Sequence, residues 1–195
     1  MTTSIRKIQI LMFCMTLACV GGMSRSALAA DNPEEQVGQL TVTGTVKVNG
    51  KPAATGDIVT EGSEVQTATG SSAIVSLGKL GRIEAQPSTT MKVRYNIHTT
   101  SHAAASIAIL LGDGSIKVSA GKEGMVNVET NRTATRASLG AEKVFTVDKT
   151  CGNTLVSVAE GKVELRFGHT VKQIAAGGQD TAGQAKPGCT QVRNR

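Results

Sequence analysis

The stretch TGSSAIVSLGKLGRIEAQPSTTMKV, residues 69–93, carries the pattern that decides the fold class. Its short runs are rich in Val, Ile and Thr, and each run is bounded by Gly, Pro or Ser. Such runs are typical of β-strands joined by tight turns. We predict two strands, Ser72–Leu77 and Arg82–Ala85, joined by the turn Gly78–Gly81. A third strand is predicted to start after Pro87.

The same rhythm continues along most of the chain. The run LTVTGTVKV, Leu40 to Val48, reads as one strand that ends at Asn49-Gly50, a strong hairpin signal. The pair Lys51-Pro52 is interpreted as the turn that follows. About a dozen short strands recur at intervals of roughly eight to ten residues, and no long stretch has helical periodicity. These features indicate an all-β sandwich, barrel or solenoid.

The first thirty residues have the pattern of a secretory signal peptide. Arg6 and Lys7 precede the apolar run IQILMFCMTLACV, which is too short to span a bilayer comfortably. An A-x-A cleavage signal follows and ends at Ala29. We therefore predict a signal peptide over residues 1–30, with cleavage beside Ala29 and Ala30.

Two alternatives to a cleaved signal peptide stay open. One is an uncleaved membrane anchor. The other is a lipoprotein anchored through Cys19, although Thr16 stands where a lipobox usually has Leu. No later apolar run is long enough for a transmembrane helix, so we expect no transmembrane segment in the mature chain. The predicted location is periplasmic or secreted, with the lipoprotein as the alternative.

The charge balance argues against nucleic acid as a partner. The formal charge is +6, and the predicted signal peptide holds three of the basic residues and no acids, which leaves about +3. The remaining charges of both signs are interleaved. Nucleic-acid binding needs clustered Lys and Arg, usually with aromatic residues for stacking. This chain has one Tyr, three Phe and no Trp.

Two of the four cysteines remain after the predicted cleavage. Cys14 and Cys19 lie in the signal peptide, whereas Cys151 and Cys189 lie in the mature chain. An oxidising compartment favours joining the remaining pair in a disulfide. That bridge would tie a polar C-terminal tail, residues 180–195, to the core. The alternative, a thiol nucleophile or metal pair, lacks the C-x-x-C spacing.

One motif in the opening stretch resembles a catalytic site. Ser76 and Lys79 match the S-x-x-K pattern of serine acyl enzymes, which requires a helix and S-D-N and K-T-G partners. Neither partner is present, and the same pattern recurs at Ser119–Lys122. Lys79 is followed by Leu80 and so does not fit a phosphate-binding loop. We interpret both residues as turn residues and assign no catalytic residue.

The three histidines of the chain are the first candidates for metal ligands. His98 and His102 are four residues apart and would share one face of a helix, and His169 is the remaining histidine. The segment around the first two reads more readily as a solvated loop. We therefore predict no metal site and no cofactor.

Several segments, in order and spacing, resemble a FecR-type periplasmic domain. They include Gly56-Asp57 and Gly62 ahead of strands, Arg82-Ile83, Ser88-Thr89, and the runs LLGDGSIKV, VNVET, VFTVD, LVSVAEGKVEL and IAAGGQ. The resemblance covers roughly residues 37–179. It implies an all-β, solenoid-like twisted fold of about a dozen short strands, with a β-sandwich or jelly roll as the alternative.

The resemblance also bears on function. FecR regulators relay a cue from an outer-membrane transporter to a sigma factor, and they carry a cytoplasmic anti-sigma segment and a transmembrane helix ahead of the domain. This sequence has a predicted signal peptide there, and its tail is too short for their transporter-docking domain. The resemblance therefore implies a non-enzymatic exported domain that binds a protein or ligand of the cell envelope. A glycan or peptidoglycan binder, an accessory component of envelope signalling and a hydrolase are the alternatives.

Overall fold

The computed structural model describes residues 38–96 and 106–189. Within them the chain forms seventeen strands and one 3-10 turn, Gly78–Leu80, which confirms the all-β class. The strands are β1 (Gly38–Thr43), β2 (Val46–Val48), β3 (Lys51–Pro52), β4 (Ile58–Val59), β5 (Glu64–Thr67), β6 (Ser72–Ser76), β7 (Gly81–Ala85), β8 (Thr90–Asn96), β9 (Ser106–Asp113), β10 (Ser115–Ala120), β11 (Met125–Glu129), β12 (Thr133–Ala137), β13 (Lys143–Asp148), β14 (Thr154–Glu160), β15 (Lys162–Phe167), β16 (Thr170–Ala175) and β17 (Gln179–Ala182). The prediction of about a dozen strands was therefore too low.

The strands form two sheets. The eight-stranded sheet has the order β17-β14-β13-β10-β7-β6-β1-β4, and the nine-stranded sheet has the order β16-β15-β12-β11-β9-β8-β5-β2-β3. Apart from the β4–β1 and β3–β2 ends, both orders follow the chain, so each new segment extends both sheets in one direction. That progression is solenoid-like, while the division into two large sheets is that of a sandwich.

A single hydrophobic core takes side chains from both sheets. Leu40, Val75 and Phe145 come from the eight-stranded sheet, and Val93 and Ile109 come from the nine-stranded sheet. All five are fully buried. Side chains alternate between the two faces of a strand, so every second residue points away from this core. The outward faces of the two sheets are therefore the surfaces available to a binding partner.

The stretch 69–93 folds as predicted. β6 and β7 form an antiparallel pair in which Ile74 lies opposite Glu84. The turn between them is closed by the Leu77 N–H, which donates to the Gly81 carbonyl at 2.9 Å. β8 follows Pro87 in the other sheet.

The prediction of one strand over Leu40–Val48 was wrong. The run divides at Gly44 into β1 and β2, which belong to different sheets. Gly44 has a φ of +79°, and a Cβ there would lie 2.5 Å from Ser71 Oγ. That hydroxyl instead accepts a hydrogen bond from the Thr45 N–H at 2.9 Å. A positive φ and this close approach both require glycine, so the chain turns a corner at this point.

The hairpin prediction at Asn49-Gly50 is confirmed. Both residues have positive φ, 52° and 77°, as the favoured two-residue hairpin turn requires. The pair Lys51-Pro52, however, forms β3 rather than a turn, with Lys51 opposite Val48. Pro52 is accommodated because β3 is an edge strand, where a missing N–H breaks no ladder.

Two strands were missed in the sequence. β12 turns Thr133, Thr135 and Ala137 toward the interior, and β17 turns only Ala182 fully inward. Neither has an alternating pattern of large apolar residues. β17 pairs with β14 at the edge of the eight-stranded sheet. Strand pairing therefore holds residues 179–182 in addition to the bridge at Cys189.

One tyrosine joins the two sheets near the β4 edge. The Tyr95 hydroxyl on β8 donates to the Val59 carbonyl on β4 at 3.2 Å. Burial is the main cause that raises the pKa of Tyr95 to about 12. The hydroxyl therefore stays protonated, and a donor, at physiological pH.

Candidate binding groove

A groove of about 1100 Å³ lies on the outer face of the eight-stranded sheet. Strands β7, β10, β13, β14 and β17 contribute its floor. Their lining side chains include Glu84, Lys117, Thr146, Ser157 and Gln179, one from each strand. The floor of the groove is therefore built by sheet pairing, and turn residues 86–87 and 177–178 also line it.

These five residues form one continuous row across the sheet. Glu84 lies opposite Lys117, and Lys117 lies opposite Thr146. Ser157 then lies between Thr146 and Gln179. Neighbouring strands are about 4.8 Å apart, so the row is roughly 19 Å long. It presents charged, hydroxyl and amide groups at the regular spacing of the strands.

Hydrogen bonds from nearby residues hold the two acids of the groove in place. Glu84 Oε1 accepts a hydrogen bond from Gln86 Nε2 at 2.9 Å. Asp148 Oδ1 accepts from both the N–H and the hydroxyl of Thr150, each at 2.8 Å. Leu155 adds an apolar side chain beside Asp148 on the neighbouring strand. The groove thus combines apolar surface with polar side chains of both signs of charge.

A β-bulge lies at one side of the groove. Val144 pairs with Glu160, but Phe145 pairs with Val158, so Ala159 has no opposite residue. A bulge bends its strand and increases the local twist. Ala159 and Val144 both line the groove, which places the bend where the sheet is concave.

The groove offers hydrogen-bonding groups and charges of both signs along its lining. Its lining has two acids, one lysine, two serines and one threonine, and it has no histidine, cysteine or aromatic residue. Within residues 38–96 and 106–189, no group of three His, Cys, Asp or Glu is placed to hold a metal ion. What the groove offers is a periodic set of hydrogen-bond donors and acceptors.

The structure places Ser76 and Lys79 at the β6–β7 turn. Ser76 is exposed at the end of β6, where it lies opposite Gln39 and Arg82. Lys79 is exposed within the 3-10 turn. Neither residue lines the groove described above. The turn interpretation accounts for both positions.

The predicted disulfide is present. Cys151 and Cys189 are joined, with their Cα atoms 5.6 Å apart. The Lys186 N–H donates to the Cys151 carbonyl at 2.9 Å. The bridge and this bond together hold residues 183–189 against the start of β14.

Several predicted positions lie outside the described residues. They are the signal peptide with Ala29 and Ala30, Cys14 and Cys19, and His98 and His102. His169 is described and is exposed in the turn between β15 and β16. In the described part of the chain, no helix has the length and apolarity to cross a membrane.

Comparisons with known proteins give a limited match. Two crystal structures of a putative anti-sigma factor from Parabacteroides distasonis ATCC 8503 match at 21% and 20% identity, each with a TM-score of 0.48. Each match covers 60% of this chain and 53% of that chain, so this chain spans about half that protein's length. No family model matches the sequence, and no curated protein matches it.

The groove residues were not singled out in the sequence. Each is an ordinary polar residue on the solvent face of a strand, and Glu84 and Gln179 are 95 positions apart. The only available signal was the alternation that places these residues on the outer faces. Which strands are neighbours, and in what register, emerges only from the folded sheet.

Proposed function

We propose that this chain is a non-enzymatic, exported FecR-like domain that acts as a protein-interaction module of the cell envelope. In this proposal the groove binds an extended peptide segment of its partner. The observation that carries the proposal is the in-register row from Glu84 to Gln179 across five strands. The resemblance of residues 37–179 to FecR-type domains supports an envelope role.

The composition of the groove favours a peptide. Sugar rings usually stack on aromatic side chains, and none lines this groove. A peptide offers backbone N–H and C=O groups along its length, which suit Thr146, Ser157 and Gln179. Lys117 and Glu84 provide complementary charges for a segment that carries both signs, which gives orientation more than affinity.

Recovery of a partner from a cell-envelope extract tests this proposal. The immobilised mature chain is compared with Lys117→Glu, which reverses the central charge of the groove. Lys47→Glu is the matched control, because Lys47 is exposed on β2 of the other sheet. We expect a discrete protein that is lost with Lys117→Glu and retained with Lys47→Glu. Equal recovery by all three chains, or none, contradicts the proposal.

A glycan or peptidoglycan strand is the second candidate. The hydroxyl and amide groups of Thr146, Ser157 and Gln179, spaced at about 4.8 Å, also suit a polymer of hydroxylated rings. Co-sedimentation with purified cell wall decides between the two. If the chain binds cell wall and Lys117→Glu abolishes that binding, the ligand of the groove is a glycan rather than a peptide.

Export itself is part of the proposal. We propose residues 1–30 as a cleaved signal peptide and residues 37–179 as the FecR-like domain, followed by the C-terminal segment 180–195. The mass of the mature protein separates cleavage at Ala29 from lipidation at Cys19. A mass that includes residues 1–30 would contradict export by a cleaved signal peptide.

A further inference from the structure

The edge strand β16 is the most exposed of the longer described strands. All of its residues except Ile174 are exposed, and Val171 has 48% of its surface accessible. β16 pairs with β15 on one side, and no other described strand pairs with it. A long edge of this kind is a template for pairing with another chain.

The hydrogen-bond pattern shows which residues of β16 serve the free edge. The Ala176 N–H donates to the Gly161 carbonyl at 2.9 Å, so residues 176 and 161 form a hydrogen-bonded pair. Pairs alternate along an antiparallel ladder. The N–H and C=O groups of Val171 and Gln173, and the N–H of Ala175, therefore point away from β15 and toward the free edge. The Ala175 carbonyl already accepts a hydrogen bond from the Gly178 N–H at 2.9 Å.

We propose that β16 pairs with β16 of a second copy of this chain, antiparallel and centred on Gln173. Pairing about a two-fold axis through this residue places Gln173 opposite the partner's Gln173. It also places Val171 opposite the partner's Ala175. The Gln173 pair then contributes two hydrogen bonds, and each Val171–Ala175 pair contributes one, from the Ala175 N–H to the partner's Val171 carbonyl.

In this register the side chains of β16 are complementary to those of the partner's β16. Gln173 Nε2 donates to Glu164 Oε2 at 3.3 Å, which fixes the amide on the outer face of the sheet. Its second N–H and its Oε1 are then placed to exchange hydrogen bonds with the partner's Gln173. On the same face, Val171 and the partner's Ala175 form an apolar pair.

Lys172 excludes the nearest competing register. A shift of the two-fold axis to Lys172 would keep five residues paired but would set two lysines directly opposite each other, which is destabilising. In the proposed register Lys172 lies opposite the partner's Ile174 instead. Its Nζ keeps the contact of 2.9 Å with Asp180 Oδ2 of its own chain in this register.

The end of the sandwich beside β16 adds apolar surface to this contact. A cavity of about 270 Å³ lies there, lined by Leu165, Phe167, Thr170, Lys172, Thr181, Ala182 and Gly183. Phe167 is 39% exposed. Pairing at β16 places the partner's edge strand next to this end. The peptide groove is on the other sheet, so self-association and partner binding are separate properties.

The mass of the mature chain in solution, measured across a range of concentrations by light scattering or sedimentation, tests the proposal. We expect a monomer–dimer equilibrium that Gln173→Lys weakens by at least about tenfold, because two ammonium groups would then meet at the axis. Gln39→Lys, the same change at an exposed position of β1, is expected to leave it unchanged. A monomer at every concentration, or a dimer that Gln173→Lys does not weaken, overturns the proposal.

A cross-link tests the register independently of charge. Hydrogen-bonded antiparallel neighbours have Cα atoms about 5.5 Å apart, which a disulfide can bridge. Gln173→Cys is therefore expected to form a covalent dimer on mild oxidation, while Gln39→Cys stays monomeric. Equal cross-linking of the two variants would mean random collision and would overturn the assigned register.

Discussion

Lys172 Nζ and Asp180 Oδ2 lie 2.9 Å apart and join the edge strands of the two sheets, β16 and β17. The hydrogen bond from Lys172 is the largest cause that lowers the pKa of Asp180 below its usual value. Both side chains are substantially accessible, so water and salt screen the pair. The contact is thus a weak link between the sheets that acid removes.

This ion pair predicts a small pH-dependent loss of stability. Because the folded state lowers the pKa of Asp180, its contribution is complete above the unfolded value of about 3.9 and is lost as pH falls through the lower folded value. Asp180→Asn is expected to lower the free energy of unfolding slightly at pH 7. Urea unfolding of both chains at pH 7 and near pH 2 measures the difference. If the two chains differ in stability by the same amount at pH 7 and near pH 2, the ion pair is not the source of the difference.

A matched pair of threonines on β12 predicts opposite effects. Thr135 Oγ1 is fully buried and has no hydrogen-bond partner within the described chain, whereas Thr133 Oγ1 lies 2.8 Å from Thr130 Oγ1 and 3.2 Å from Thr154 Oγ1. A buried hydroxyl without a partner is costly, and a bonded one is stabilising. We expect Thr135→Val to raise the free energy of unfolding by about 1 kcal/mol and Thr133→Val to lower it by a similar amount. Urea unfolding measures both, and the same sign for the two variants would be the contrary result.

Two glycines of the turn after β6 predict different costs. Gly78 has a φ of +59° and open space around it, whereas Gly81 has a φ of +122° and a Cβ there would lie 2.0 Å from the Ser119 carbonyl oxygen. Gly78→Ala is expected to cost about 1 kcal/mol, the penalty of the left-handed region. Gly81→Ala must also separate β7 from β10, so we expect at least about 3 kcal/mol. Thermal or urea unfolding compares the two; equal losses would argue against a close approach at Gly81.

The Cys151–Cys189 bridge predicts a larger effect. It joins residues 38 positions apart, and closing a loop of that length in the unfolded chain is worth about 3–4 kcal/mol. Cys189→Ser is the suitable variant because Cys189 is exposed, whereas Cys151 is buried. Denaturant unfolding with and without a reducing agent checks this. Reduction should destabilise the native chain to the level of the variant and leave the variant unchanged.

The fold class could be predicted because local chemistry agrees with the tertiary structure. The alternation over residues 69–93 and the Asn49-Gly50 hairpin required no distant partner. The prediction of a single strand over Leu40–Val48 failed at Gly44, because the Thr and Val residues on both sides of it continue the strand pattern. Its corner arises from contact with Ser71, which lies 27 residues later.

The missed strands and the groove share another cause. β12 buries Thr133 and Thr135 instead of large apolar residues, because neighbouring strands supply the apolar volume there. The groove depends on the register in which five strands pair, and the sequence of a single strand does not determine that register. In the sequence, Lys117 therefore resembles any surface lysine. Its place in the groove follows from the pairing of β10 with β7 and β13.

Site-specific photo-cross-linking from the groove tests the central claim most directly. A photo-reactive side chain is placed at Ser157, on the groove floor, and in a second chain at Arg136, which is exposed on β12 of the other sheet. Both chains are expressed with residues 1–30 in place and irradiated in intact cells. The account predicts one discrete cross-linked envelope protein from Ser157 and none from Arg136. Cross-links from Arg136 alone, or the same products from both positions, would contradict the groove as the binding face.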